Sequence, residues 1–168
     1  MTQPIANIHA SCIRLERAGA PFGAPAKAGV LILGESGSGK SLLSLMLIAA
    51  GAKLVADDRV ELFVRKGRLM ARAPANIAGF VEARGVGIVE IPHVRDAAIA
   101  LVVNLSDTKP SRLPRHGIYE PPKSLLLVRD KWPPMLKLAA ADQAAPAKVA
   151  LAAAAFSQNR FRHRAKGL

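Results

Sequence analysis

Gly34-Glu35-Ser36-Gly37-Ser38-Gly39-Lys40-Ser41 is the stretch whose reading decides the fold. An apolar run at 29–33 precedes it, short enough for a buried strand. Leu42, Leu43, Met46, Leu47 and Ala50 follow at helical spacing, and Gly51 is a natural stop signal. A second apolar run, 53–56, ends at Asp57 and Asp58. Residues 29–56 therefore read as strand, loop, helix, strand. The octapeptide matches G-x-x-x-x-G-K-[ST] in full. Glycines let successive backbone N–H groups turn inward around phosphate oxygens, and the following helix directs its positive dipole end at the same anion. In this pattern Lys40 reaches the β- and γ-phosphates and the Ser41 hydroxyl is placed for Mg²⁺. A strand before it and a helix after it separate this loop from a mere Gly/Ser turn.

Two strands flanking such a helix run parallel if they share a sheet, so their carboxyl ends lie on one edge. Asp57 and Asp58 are then expected beside the bound phosphates. One carboxylate can help hold Mg²⁺ and the other can accept the proton of an attacking hydroxyl. The competing reading is a solvated turn. Glu82 is a candidate metal ligand, Arg84 a candidate phosphate contact, and His9 lies in a possible edge strand within 1–17. Asn104 ends the strand expected at 98–105, where an acidic residue is common in phosphate-loop proteins, and this places more weight on Asp57 and Asp58.

Outward from this unit, Lys66-Gly67 separates 60–65 from 68–72 and predicts a hairpin. Residues 73–84 read as irregular or briefly helical, and 86–91 as a strand closed by Pro92. The proline-containing segment 107–123 reads as a long exposed loop. Strands are expected at 125–128 and 135–138, and a helix over 146–165 with Pro146 near its first turn.

The chain has 168 residues and is half apolar, which suits one α/β domain spanning 1–168. No run is long and apolar enough to span a membrane, and the N-terminus lacks a signal-peptide pattern. Cys12, the one cysteine, follows small residues without an apolar run, which argues against a lipid anchor. A single cysteine excludes an internal disulfide framework, and a cytoplasmic location is expected. The net charge of +12 is large. It suits nucleic acid, an anionic surface, or an acidic protein or nucleotide. Its local cluster is Arg160, Arg162, His163, Arg164 and Lys166, with Phe156 and Phe161 the aromatic neighbours.

Together these features resemble the HPr kinase/phosphorylase family, specifically its C-terminal catalytic domain. Ile8-His9-Ala10-Ser11 is similar to the family's His motif. Residues 34–41 are its phosphate loop, 54–60 its strand-end double aspartate, and 82–89 its signature. The resemblance covers residues 8–91. It implies a P-loop kinase domain akin to phosphoenolpyruvate carboxykinase, α/β, with mixed sheets and flanking helices. It also implies ATP- and Mg²⁺-dependent phosphorylation of a serine on the carrier HPr of the sugar phosphotransferase system, with phosphorolysis as the reverse activity. By the match Asp57 is the general base, and the acid in reverse, with His9 beside it. Lys40 binds phosphates, Ser41 and Glu82 hold the metal with Asp58 in support, and Arg84 positions the signature loop.

The chain resembles short forms of the family that lack an N-terminal domain. Where other members carry an Arg-Pro-Gly-Arg-type loop, this sequence has 141–148, with Lys148 as a partial substitute; an ammonium does not replace a bidentate guanidinium. This bears on phosphorolysis more than on the kinase reaction, and on the family's hexamer. Two other functions compete. One is an ATP-binding regulator with little catalysis. The other, ranked last, is a nucleic-acid-linked ATPase, which the +12 charge motivates without any matching motif.

Overall fold

The computed structural model describes residues 3–16, 22–108, 110–140 and 142–161. Its strands are β1 (Ile5–His9), β2 (Ser11–Arg14), β3 (Ala28–Leu33), β4 (Lys53–Ala56), β5 (Arg59–Arg65), β6 (Arg68–Arg72), β7 (Phe80–Ala83), β8 (Gly87–Glu90), β9 (Ala97–Ser106), β10 (Gly117–Ile118) and β11 (Pro134–Ala139). The helices are α1 (Lys40–Ala49) and α2 (Ala145–Ser157).

The large mixed sheet runs β1-β5-β6-β9-β3-β2-β4, with β11 on β9 and β10 on β11. β9 pairs in parallel with β3 and with β11, while the remaining pairs of this sheet are antiparallel. β3 and β4, the two strands flanking α1, do run in one direction, but they are not neighbours. β2 lies between them, antiparallel to both. Asp57 therefore does emerge on the edge of the phosphate loop, and β2 starts at that edge with Ser11.

Both faces of this sheet are covered. On one, Val30, Ile32, Leu101 and Val103 pack with Leu43 and Leu47 of α1 and Val149 of α2. On the other, Cys12, Leu31, Val55, Val60, Leu62 and Val102 pack with Leu125. Alternation along β3 supplies both faces from consecutive residues, as period-two geometry requires. A register shift between Gly29 and Val30 pairs Gly29 with Ile99 but Val30 with Leu101. The additional residue, Ala100, explains why Ile99 and Leu101 face opposite sides. Each buried Leu, Ile or Val contributes about 1.5–3 kcal/mol. Cys12 is fully buried, and burial pushes its thiol pKa up, so it acts as a small core residue.

The Lys66-Gly67 hairpin is present, with φ of 52° and 69°, the positive pair that a two-residue turn of matching twist needs. Four expectations need correction. Residues 80–83 are the strand β7, paired with β8 in a separate two-stranded sheet, where 73–84 read as irregular or briefly helical. Residues 125–128 are not a strand: a 3₁₀ turn at Lys123–Leu125 precedes Leu126 in the left-handed region, at φ 53°. Prolines on either side of this stretch favour turns over a ladder. The loop 107–123 contains β10. The last helix stops at Ser157 rather than 165, its residues 158–161 being non-helical and 162–165 lying outside the described residues.

Leu101, fully buried at the centre of the helix-covered face, is the most direct probe of this core. Leu101→Ala is expected to lower stability by about 2–5 kcal/mol in equilibrium urea unfolding.

Candidate active site

The phosphate loop leaves the end of β3 and returns as α1. Gly34 has φ 151°, and a Cβ there would lie 2.4 Å from Ser38 Oγ and 3.0 Å from the Leu105 carbonyl oxygen. A side chain at 34 would thus force the loop off β9. Gly39 occupies the N-cap of α1 at φ 89°, with no side chain capping the helix. The first N–H groups of α1 are left to an anion, as in helix-terminal phosphate sites. Lys40 is 5% exposed, and its Nζ donates to the carbonyl oxygens of Gly34 at 2.9 Å and Glu35 at 2.8 Å. Burial lowers the pKa of its ammonium, while Asp57 and Asp58 act in the opposite direction.

The turn after β4 separates the two aspartates. Asp58 has φ 64°, and the Arg59 N–H donates across it to the Asp57 carbonyl oxygen at 2.7 Å. This tight turn places the two side chains in different surroundings. Asp57 points inward and is 4% exposed. Its Oδ1 accepts from Ser11 Oγ at 2.6 Å and from Ser41 Oγ at 2.9 Å, and its Oδ2 takes a long contact of 3.4 Å from the Glu82 N–H. The Asp58 side chain is exposed. It meets His9 Nδ1 at 3.3 Å, and the same nitrogen lies 3.0 Å from the Asp58 carbonyl oxygen. The resemblance placed His9 beside Asp57, whereas its polar contacts in the structure are to Asp58.

These groups surround a cleft of about 500 Å³, lined by Ser36, Gly37, Gly39, Lys40, Ser41, His9, Asp58, Glu82 and Arg84. Glu82 and Arg84 arrive on the β7–β8 hairpin. Arg84 leans over the loop: a Cβ on Gly37 would lie 3.6 Å from its Nη2. From the other side, the Ala140 carbonyl oxygen lies 3.7 Å from the position of a Cβ on Gly39. Lys148 is turned to an ion pair with Asp142 near the start of α2. The structure thus brings His9, the loop, Asp58, Glu82 and Arg84 to one cleft, with Asp57 behind Ser41. Ser11 is the residue that sequence reasoning did not single out as functional. Its signal was position alone, two residues after His9 in the His motif.

The donor set suits a polyphosphate with a hard divalent cation. Ser38 Oγ is buried without a hydrogen-bond partner, inside the loop where phosphate oxygens would supply acceptors. Ser41, Asp57, Asp58 and Glu82 supply oxygens, the ligand class Mg²⁺ takes. Among the described residues no three His, Cys, Asp or Glu side chains form a ready-made cation site.

A strand–phosphate loop–helix unit on a mixed sheet, with a double aspartate at the same edge, defines a P-loop kinase-type fold. The sequence profile of the HPr serine kinase C-terminal domain matches residues 26–120, more than half of the chain, and the chain belongs to that family. The matched span takes in the loop, both aspartates, Glu82 and Arg84. Among curated relatives, the HPr kinase/phosphorylase of Clostridium tetani is 46% identical over 66 residues, 39% of this chain and 22% of that protein. That of Aromatoleum aromaticum is 44% identical over 101 residues, 52% of this chain and 32% of that protein. The chain thus matches about a third or less of these relatives' length. The HPr(Ser) kinase/phosphatase structure from Coxiella burnetii superposes with a TM-score of 0.63 at 24% identity, covering 92% of this chain and 95% of that one, and shares the fold. No helix among the described residues is long and apolar enough to cross a membrane.

Removing the Lys40 cation is expected to weaken nucleoside triphosphate binding by about tenfold or more, because charge-assisted contacts to phosphate are lost. Titration calorimetry of Lys40→Met, with circular dichroism to confirm folding, measures this.

Proposed function

We propose that this chain is a serine protein kinase that transfers the γ-phosphoryl group of ATP, with Mg²⁺, to an HPr-type carrier. The observation that carries the reading is the buried Asp57–Ser41 contact beneath a cleft that Asp58, His9, Glu82 and Arg84 share with the phosphate loop. In phosphoryl transfer the protein chiefly positions the reactants and stabilises charge. Here the loop amides, Lys40 and Arg84 would hold the phosphates. Ser41, Glu82 and Asp57 would hold Mg²⁺, which when bound neutralises charge developing on the phosphate oxygens.

The two aspartates differ in what they can do. The resemblance assigns the general base to Asp57. The geometry favours the opposite division, with Asp58 as the proton acceptor. Asp58 lines the cleft, where the acceptor serine would enter, and His9 is within reach of its carboxylate. Asp57 is enclosed, and its Oδ1 already takes two hydroxyl donors. Its role is to hold Ser41 in place, with Ser11 fixing the same oxygen from β2. In the reverse direction the protonated Asp58 would return its proton to the serine oxygen, which is the requirement for phosphorolysis.

The regulatory alternative keeps one supporting observation. Lys148, the partial substitute for the basic loop, is engaged by Asp142. The nucleic-acid reading loses support. Phe156 and Phe161 pack on each other with centroids 4.5 Å apart, and both rings contact His116, so neither is presented as a stacking platform. Of the basic cluster, 162–168 lie outside the described residues, and Arg160 donates to the Phe22 carbonyl oxygen.

The test is transfer of labelled γ-phosphate from ATP to a purified HPr-type carrier. Asp58→Asn is expected to lower kcat by about 10²-fold or more, the scale of general-base catalysis, with nucleotide affinity little changed. Asp57→Asn is expected to weaken Mg²⁺-ATP binding and lower stability together. The converse pattern would return the base to Asp57. ATP binding with no labelling of any carrier serine would favour the regulator. Ser11→Ala should lower kcat while leaving the nucleotide dissociation constant within about twofold, and Ser11→Thr should restore it, since one hydroxyl donor to a carboxylate is at stake.

A further inference from the structure

At the opposite end of β3 and β9 from the phosphate loop lies a second cavity, of about 320 Å³. Arg14, Lys27, Arg65, Lys66, Arg68 and Asp96 line it. Five cations thus face one carboxylate. Two of the five are already neutralised. Arg65 clasps Asp96 with two bonds of 2.8 and 2.9 Å, and Arg14 pairs with Glu16 at 2.6 Å. Lys27, Lys66 and Arg68 form no ion pair among the described residues, so about three positive charges converge on the cavity without a counter-charge. The hydrogen bond from Arg65, with Arg95 and Arg14 adding their charge, holds the Asp96 carboxyl below the usual carboxylate range.

The backbone around the cavity also departs from regular strand geometry. Lys27 and Lys66 both occupy the left-handed region, at φ 60° and 52°, which costs a residue with a Cβ free energy. The register shift in the β3–β9 ladder falls at the same end, where a Cβ on Gly29 would lie 2.7 Å from the Ala98 carbonyl oxygen. The left-handed Lys27 and the Lys66-Gly67 hairpin turn bring their side chains to the rim of one cavity.

We propose that this cavity is a second anion site, separate from the nucleotide cleft, for a compact polyanion carrying two or more negative charges. Phosphoryl and polycarboxylate groups share the required chemistry. The volume is smaller than that of the nucleotide cleft, which suits a small metabolite-sized anion. Six strand residues separate the two sites along β3, roughly 20 Å, so both can be filled at once.

The test is an amide NMR titration of the full chain with inorganic pyrophosphate, repeated with citrate and with sodium chloride at matched ionic strength. Saturable shifts at 26–28, 65–68 and 96–98, distinct from those of the phosphate loop, are expected with one or both polyanions. Pyrophosphate alone would mark a phosphoryl site, and both would mark a general polyanion site. The double variant Lys27→Asn/Arg68→Gln should weaken this second affinity by about tenfold or more, leaving the loop shifts unchanged. Asn is chosen because it tolerates the left-handed backbone. No saturable shift, equal shifts with sodium chloride, or an unaltered affinity in the double variant would each overturn the proposal. Loss of loop shifts alone would count against the nucleotide reading and leave this one standing.

Discussion

A carboxyl group as enclosed as that of Asp57 persists only when its oxygens are hydrogen-bonded, because an unpaired buried carboxylate costs several kcal/mol. Ser11 and Ser41 meet that demand from two different elements, β2 and α1, and both donate to Oδ1. The contact therefore fixes three things at once: the end of β4, the first turn of α1 and the start of β2. Everything else at the site is arranged around it. With Ser41 held, the phosphate loop has its C-terminal anchor, and Lys40 folds back onto the Gly34 and Glu35 carbonyl oxygens. Asp57 turns inward, while Asp58, next in sequence, takes a left-handed conformation and places its carboxylate at the cleft.

The sheet makes this arrangement possible by placing β2 between β3 and β4. In a plain strand–helix–strand unit the two parallel strands would be neighbours, with no room for a hydroxyl from elsewhere. Here the antiparallel insertion brings the N-terminal segment to the phosphate edge. His9 at the end of β1 and Ser11 at the start of β2 arrive on either side of Ala10, whose N–H donates to the Asp58 carbonyl oxygen at 3.3 Å. The mixed sheet is thus part of the site's construction. The core on its two faces is built from short aliphatic residues and is continuous with α1 and α2 on one side.

Charge is distributed with similar economy. The cleft at the phosphate loop holds Lys40 and Arg84 together with two acidic side chains that line it, Asp58 and Glu82, so it suits an anion that arrives with its own cation. The cavity at the far end of β3 holds five cations and one acid, and suits an anion alone. Part of the +12 net charge is therefore gathered at the far end of β3, whereas in the cleft at the phosphate loop cations and acids balance.

Much of this was legible in the chain itself. The loop 34–41, the helix after it and the hairpin at Lys66-Gly67 depend on local rules: glycine's left-handed freedom, helical spacing and turn chemistry. Those rules act within a few residues, so one sequence suffices to read them. The strand β7 and the non-strand at 125–128 were misread because pairing partners and buried area, not local propensity, decide short strands. The same limit governs the site. From the sequence alone, two adjacent carboxylates could be placed near the phosphate loop. Only the tertiary structure decided which of them is enclosed. That choice depends on Ser11, which is 46 residues from Asp57 in sequence and 2.6 Å from it in space.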